Sequence, residues 1–361
     1  NGKKSSWGYT AAIWRRASLS VFRPIGAPHT LSISPPVQAE SEEIHNGKNG
    51  LNPSVRLGYF NLHGLEDSSN WYGQRDPAEP ANLPDYPVAL RPEDVQNSGH
   101  APQVVFSEAC YGAHIENKDV EQALALKFLV SGSQSVVGST CTSYGSITTP
   151  LIAADLLGHA FWKFLRDGLP AGESLRRAKI HLAREMHRRQ GYLDGEDQKT
   201  LISFLLLGDP LAHLASNSAD AKLIMRSLNS PANVNTVCDR LGNCKTEVSN
   251  APHPLQEKPP LPSKTLAQVK SIVEQYLPGM QDAEVSFSRS HATCCGESHT
   301  CPTSTRSTKM RGRKKVENNV ITLIKHVEKS MSPSGAVQSH HHYARLTIDD
   351  TGNVIKMAVS R

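Results

Sequence analysis

Two short stretches of this 361-residue chain carry side chains that could act together as a nucleophile and its base. In "QVVFSEACYGA" (103–113) an apolar run through Val104, Val105 and Phe106 reads as a buried strand that ends on Cys110, two positions before Gly112. A thiol held at the carboxyl end of a sheet strand, just ahead of a turn, faces a cleft and becomes a nucleophile once an imidazole lies within reach. In "LGYFNLHG" (57–64) a second β-prone run stops on His63, and Gly64 has the backbone freedom to end a strand sharply. Taken singly, a strand cysteine reads as an inert core thiol and a histidine beside a glycine as a loop or core residue. Taken together, two strands ending on the right residue types make Cys110 and His63 a candidate Cys-His pair.

The elements that must position this pair alternate between strand and helix. Between 55 and 214 the order is a strand to His63, a polar loop with "DPAEP" and "LPDYP", and the Cys110 strand. A helix over 119–131, a strand "SQSVVGSTCTS", helices over 150–167 and 172–190, and a helix or buried strand "TLISFLLLG" follow. This alternation predicts an α/β fold, a mainly parallel sheet covered on both faces. Residues 1–54, polar and rich in Ser, Pro and Gly, read as irregular or truncated, with only "AAIWRRASLSVF" and "HTLSIS" as possible elements. Residues 215–262 read as a connector, with "TVCDRLGNCKTEV" a hairpin turning at Gly242 and Asn243 and "NAPHPLQEKPPLPSK" an extended linker. Residues 263–361 read as a small α+β domain: a helix "TLAQVKSIVEQYL", a strand "DAEVSFSR", a Cys-rich and basic loop, and two or three strands, the last pair turning at "DDTGN".

Four motifs in order, "YFNLHG", "VVFSEACYGA", "SVVGSTCTSYG" and "FLLLGDPLAHL", resemble the gingipain and CHAT branch of the caspase-like cysteine peptidases over residues 55–214. The resemblance implies a caspase-like three-layer αβα sandwich and places His63 and Gly64 on the family's His-Gly, with Cys110 on its nucleophile. His63 precedes Cys110 by nearly the spacing of about 50 residues seen in caspases. Cys110 would attack the scissile carbonyl, His63 would protonate the leaving amine, and the backbone N–H groups of Gly64 and Cys110 would hold the oxyanion. "GSTCTSYG", with Ser139 and Thr140, would line the cleft and pair with an extended substrate, Cys141 being structural. Glu108 stands where metacaspase relatives carry an acid for a basic substrate residue. It reads equally as an acid that positions the active-site loop, and Asp155 is a second candidate for the pocket. The branch normally carries two further strands before the His strand, and residues 1–54 do not look like them. A chain cut at its N-terminus, or completed by a part supplied elsewhere, is expected.

The remaining motifs weigh less. "HATCCGESHTC" brings Cys294, Cys295 and Cys301 together with two histidines, open to zinc, to local disulfides (Cys295–Cys301, Cys238–Cys244) or to free thiols. No other stretch suggests a cofactor. "TRSTKMRGRKK", from Thr305 to Lys315, reads as a solvated loop and, with a basic-preferring pocket, as the place for self-cleavage after Arg306, Lys309, Arg311 or Arg313. "SHHHY" (339–343) reads as an exposed strand segment. A formal charge of +5 spread along the chain, without aromatic interleaving, argues against a nucleic-acid partner. No apolar run is long enough to cross a membrane, and no signal peptide is legible in the first 22 residues, which slightly favours the cytoplasm. A cysteine endopeptidase acting on protein or peptide is the leading reading. A caspase-like regulatory or scaffolding domain without turnover is the alternative.

Overall fold

The structure is a computed structural model that describes residues 6–36, 55–78, 82–95, 101–214, 263–277, 279–291, 317–330, 337–349 and 352–361. The first correction to the sequence reading falls at its start. Residues 6–34, expected to be irregular apart from possible elements in "AAIWRRASLSVF" and "HTLSIS", form a strand β1 (Ser6–Ala11), a helix α1 (Arg15–Phe22) and a strand β2 (Leu31–Ser34), so that β1 is the element not foreseen. Their small polar residues hide the pattern because they are satisfied internally. Ser6 Oγ donates to Ile25 O (2.7 Å), and Thr10 Oγ1 meets Ser18 Oγ at 2.7 Å. Gly8 lets β1 lie close to its cover, since a Cβ there would stand 2.5 Å from Leu31 Cδ1.

Next come β3 (Leu57–Asn61) and a small sheet of β4 (His63–Gly64), β5 (Trp71–Tyr72) and β6 (Val88–Leu90). The chain continues through β7 (Val104–Ser107), α2 (Leu124–Val130), β8 (Ser135–Ser139), β9 (Tyr144–Gly145), α3 (Ala153–Arg166), α4 (Ala171–Gln190), α5 (Gly195–Ser203) and β10 (Phe204–Gly208). Six strands form one sheet in the order β10-β8-β7-β3-β1-β2, all parallel except β10. Every residue of β3, β7 and β8 is buried, as strands covered on both faces require. Alternate residues divide between two cores: Tyr59, Val104, Phe106 and Val137 pack with α1, α3 and α4, whereas Phe60, Val105 and Val136 pack with α2. The chain is thus α/β with a mixed, mainly parallel sheet. Two elements differ from expectation. The helix expected over 119–131 begins only at Leu124, because Asp119 and Gln122 side chains accept backbone N–H groups and form turns instead. "TLISFLLLG" is both a helix end and a strand, α5 running into β10.

A helix α6 (Ser263–Tyr276) and strands β11 (Glu284–His291), β12 (Glu317–Ser330), β13 (Val337–Ile348) and β14 (Val354–Ser360) follow. These strands form an antiparallel sheet, β11-β12-β13-β14-β9, with Val269, Val273 and Leu277 packed on Ile321, Leu323 and Leu346. Its last member belongs to the first region, so the sheet runs across the boundary expected between separate domains. Ionic contacts fasten it to the start of α5: the buried Lys356 to Asp194 and Asp197, and the half-buried Arg345 to Glu196. The expected 238–244 hairpin, the linker, Cys294, Cys295 and Cys301, and the basic run 305–315 lie outside the described residues.

Candidate active site

The parallel pairing of β3 with β7 sets the site. Phe60 stands opposite Ser107 and the Glu108 N–H donates to Phe60 O (2.8 Å), so both chains leave the sheet side by side, one into His63-Gly64 and the other into Ala109-Cys110. A Cβ on Gly64 would stand 1.9 Å from the Cys110 carbonyl oxygen, so only glycine permits this approach. Just after Cys110 the chain turns at Tyr111, whose φ of 55° is left-handed. That conformation costs a non-glycine residue about 1–2 kcal/mol, and the Tyr111 N–H bond to Cys141 O (3.0 Å) helps hold it.

Both candidate side chains are sealed, His63 at 2% exposure and Cys110 at 1%. The His63 ring sits 4.4 Å from Trp14, 5.5 Å from Tyr86 and 5.0 Å from His342, centroid to centroid. Its Nε2 lies 2.8 Å from Gln74 Oε1, while the Gln74 amide nitrogen donates to the Tyr86 hydroxyl (3.3 Å). An amide oxygen only accepts, so this arrangement keeps the neutral ring's proton on Nε2 and its lone pair on Nδ1. Cys110 Sγ accepts the Ser143 N–H at 3.2 Å, and the Arg361 N–H donates to the Ser143 carbonyl (3.0 Å). Burial nevertheless pushes the thiol up to about 11.

Behind the thiol lies a pocket floored by Glu108 and Asp155, both fully buried. Asp155 is in the first turn of α3, and its Oδ2 accepts the Ser146 N–H; the Tyr59 hydroxyl donates to Glu108 Oε1 (2.8 Å). Burial, and then the neighbouring Asp155 carboxylate, push the Glu108 carboxyl well above the usual range, and the Arg361 cation opposes them. The Arg361 side chain, itself fully buried, fills the pocket. Its Nη2 donates to Asp155 Oδ2 (2.6 Å) and Ser146 O (2.8 Å), its Nε stands 3.7 Å from Glu108 Oε2, and its guanidinium carbon lies 4.4 Å over the Trp14 ring. A Cβ on Gly145 would stand 2.1 Å from Arg361 Nη2, so glycine opens the way to Asp155.

The structure therefore brings His63, Gly64, Cys110, Glu108 and Asp155 to one place. It does not bring Ser139 or Thr140 there. The Ser139 hydroxyl is occupied with Cys141 O and Ser203 Oγ (both 2.9 Å), and Thr140 bonds Ser203 O. Cleft-side pairing falls instead to Ser143, Tyr144 and Gly145, from the same "GSTCTSYG" segment. His342, expected to be exposed, is buried against His63, because β13 lies over the site. Among the described residues no group of His, Cys, Asp and Glu could hold a metal ion. Sequence reasoning misses Trp14, Gln74 and Arg361, and names the segment of Ser143 but not the residue. Gln74 lies eleven residues beyond His63 and bonds its ring, whereas Trp14 and Arg361 reach the site only through tertiary contacts.

A buried thiol and an imidazole at adjacent ends of parallel strands, beside an acid-floored pocket, form the kind of site a cysteine peptidase uses. The model of peptidase family C25 matches residues 59–215, and the match supports cysteine peptidase activity, a hydrolase acting on protein or peptide. No curated protein matches the chain.

Proposed function

We propose that this chain is a cysteine endopeptidase of caspase-like architecture that cleaves after arginine or lysine through Cys110 and His63. Cys110 Sγ gives its proton to His63 Nδ1, and the thiolate attacks the scissile carbonyl carbon while the backbone N–H groups of Gly64 and Cys110 receive the oxyanion. The imidazolium then protonates the leaving amine as the C–N bond breaks, leaving a thioester. Water, deprotonated by His63, hydrolyses the thioester to a carboxylic acid and returns the thiol. Gln74 positions the ring by holding the Nε2 proton. A thiol raised to about 11 is a weak nucleophile at neutral pH, so the proton moves as substrate arrives rather than beforehand.

One observation carries the specificity. Two buried acids beside the thiol, Glu108 raised toward its neutral form, face one guanidinium, and an apolar side chain there would leave them without a cation. The alternative reading, a caspase-like domain that binds partners without turnover, draws on the sealing of both His63 and Cys110. A peptide-library digest separates the two: cuts after Arg and Lys that vanish in Cys110→Ala support the peptidase, and no cutting by a chain whose thiol and pocket are shown open supports the alternative. Cuts after Asp or apolar residues would remove Glu108 and Asp155 from the pocket.

A further inference from the structure

The occupant of the pocket is a residue of the chain itself, and it arrives as part of a strand. β14 pairs antiparallel with β9, Val359 opposite Gly145 and Ser360 opposite Tyr144, and the Arg361 N–H donates to Ser143 O (3.0 Å). Strand addition of this kind is a common way for a protein to take an extended peptide, with main-chain bonds for affinity and a pocket for one side chain. Here the added strand delivers an arginine to the acid pair and pairs its backbone with Ser143, whose own N–H bonds Cys110 Sγ. The neighbouring strand β13 sets His342 over His63.

The fit is firm but incomplete. Arg361 Nε and Nη1, Glu108 Oε2 and Asp155 Oδ1 make no hydrogen bond among the described residues, although all are buried. A guanidinium can form two parallel bonds with a carboxylate, and Arg361 forms only one. What holds the strand in place lies at its other end, where Lys356 Nζ bonds Asp194 (2.6 Å) and Asp197 (2.9 Å).

We propose that the segment Ala358-Val359-Ser360-Arg361 lies in the substrate cleft as an internal peptide that holds the enzyme closed. Its sequence then marks the substrate class: extended peptides with a small or branched residue upstream and arginine at the cleavage position. This rests on the peptidase reading for its catalytic part only; occupancy of the pocket stands on the contacts alone. A tethered occupant acts at an effective concentration of about millimolar, so an outside peptide succeeds when the segment is released.

The test uses the full chain, its Arg361→Gln variant, which keeps the backbone pairing and much of the Trp14 contact, and Arg361→Ala. Fluorescence titration with p-aminobenzamidine, an arginine side-chain mimic, reads pocket access without any turnover. Hydrolysis of acetyl-Ala-Val-Ser-Arg-aminomethylcoumarin reads catalysis. Both variants should bind the amidine at least roughly tenfold more tightly than the parent, with a matching rise in kcat/KM. Equal amidine binding by parent and variants overturns the proposal. Tighter amidine binding without hydrolysis by any variant upholds the occupancy and removes the peptidase reading instead. Hydrogen exchange on the unaltered chain covers the case in which the variants fail to fold: saturating acetyl-Ala-Val-Ser-Arg should speed exchange across residues 354–361. Unchanged exchange there at saturation counts against the proposal.

Discussion

Each end of β14 sets one cation between two buried acids, and the two ends are built differently. At Lys356 the match is nearly complete: Asp194 and Asp197 each accept a bond from Nζ, Gln190 bonds Asp197 (2.8 Å), and the Asp194 side chain also caps α5 through the Asp197 N–H (3.0 Å). At Arg361 each partner keeps at least one polar atom without a hydrogen bond. A fully satisfied buried cluster fixes one arrangement, whereas an incompletely satisfied one is held at a cost and can exchange its occupant. The first end is therefore an anchor and the second, beside the thiol, an exchange site.

The largest expected effect comes from the exchange site. In the Arg361→Gln background, Asp155→Asn should cost about 3 kcal/mol of transition-state binding for arginine substrates, roughly 100-fold in kcat/KM, since it removes the carboxylate that bonds the guanidinium, and Glu108→Gln, at an acid raised toward its neutral form, should cost less. Iodoacetamide should still alkylate Cys110 in both variants; a loss of alkylation equal to the loss of hydrolysis would show that the acids shape the thiol rather than the pocket. At the anchor, Lys356→Met should destabilise the chain by about 3 kcal/mol in urea unfolding, because two buried acids lose the cation that pairs with both of them. An unchanged urea midpoint would make the two ends equivalent and end the comparison.

Smaller effects sharpen it. Gln74→Ala should lower kcat roughly tenfold and leave KM unchanged, as expected when a base loses its orientation but the pocket is intact. A rise in KM alone would place Gln74 against substrate instead. The anchor should also respond to pH. Burial, and then the adjacent Asp194 charge, outweigh the opposing Lys356 cation and push the Asp197 carboxyl up to about 7. An acid raised on folding contributes stability while protonated and loses it as pH rises through its folded value, so stability should fall by about 1 kcal/mol between pH 6 and 8. Asp194 is lowered, so its contribution is lost only in acid and does not oppose this trend. Thermal melts across that range check the prediction, and Asp197→Asn should flatten the profile.

Much of the site was legible because its signals are local. Cys110 and His63 each end an apolar run, and a buried parallel strand announces itself by continuous apolar residues such as Val104, Val105 and Phe106. β1 was hidden because "SWGYTA" uses Ser, Gly and Thr whose suitability depends on Ile25, Ser18 and Leu31, none adjacent in sequence. Ser139 and Thr140 lie in the segment read as lining the cleft, but both turn to Ser203, a partner more than 60 residues further along the chain that no local pattern announces. Arg361 could not have been read at all: its partners Glu108 and Asp155 are more than 200 residues away, and only the pairing of β14 with β9 brings them together.

The claim that Cys110 attacks substrate with help from His63 is tested most directly by covalent labelling. The Arg361→Gln chain, with and without Cys110→Ala or His63→Ala, is treated with a peptidyl-arginine acyloxymethyl ketone and examined by intact mass and peptide mapping. The account predicts a single adduct on Cys110, none in Cys110→Ala, and labelling slowed by roughly 100-fold in His63→Ala. An adduct on Cys141, or labelling undiminished by loss of Cys110, would contradict it.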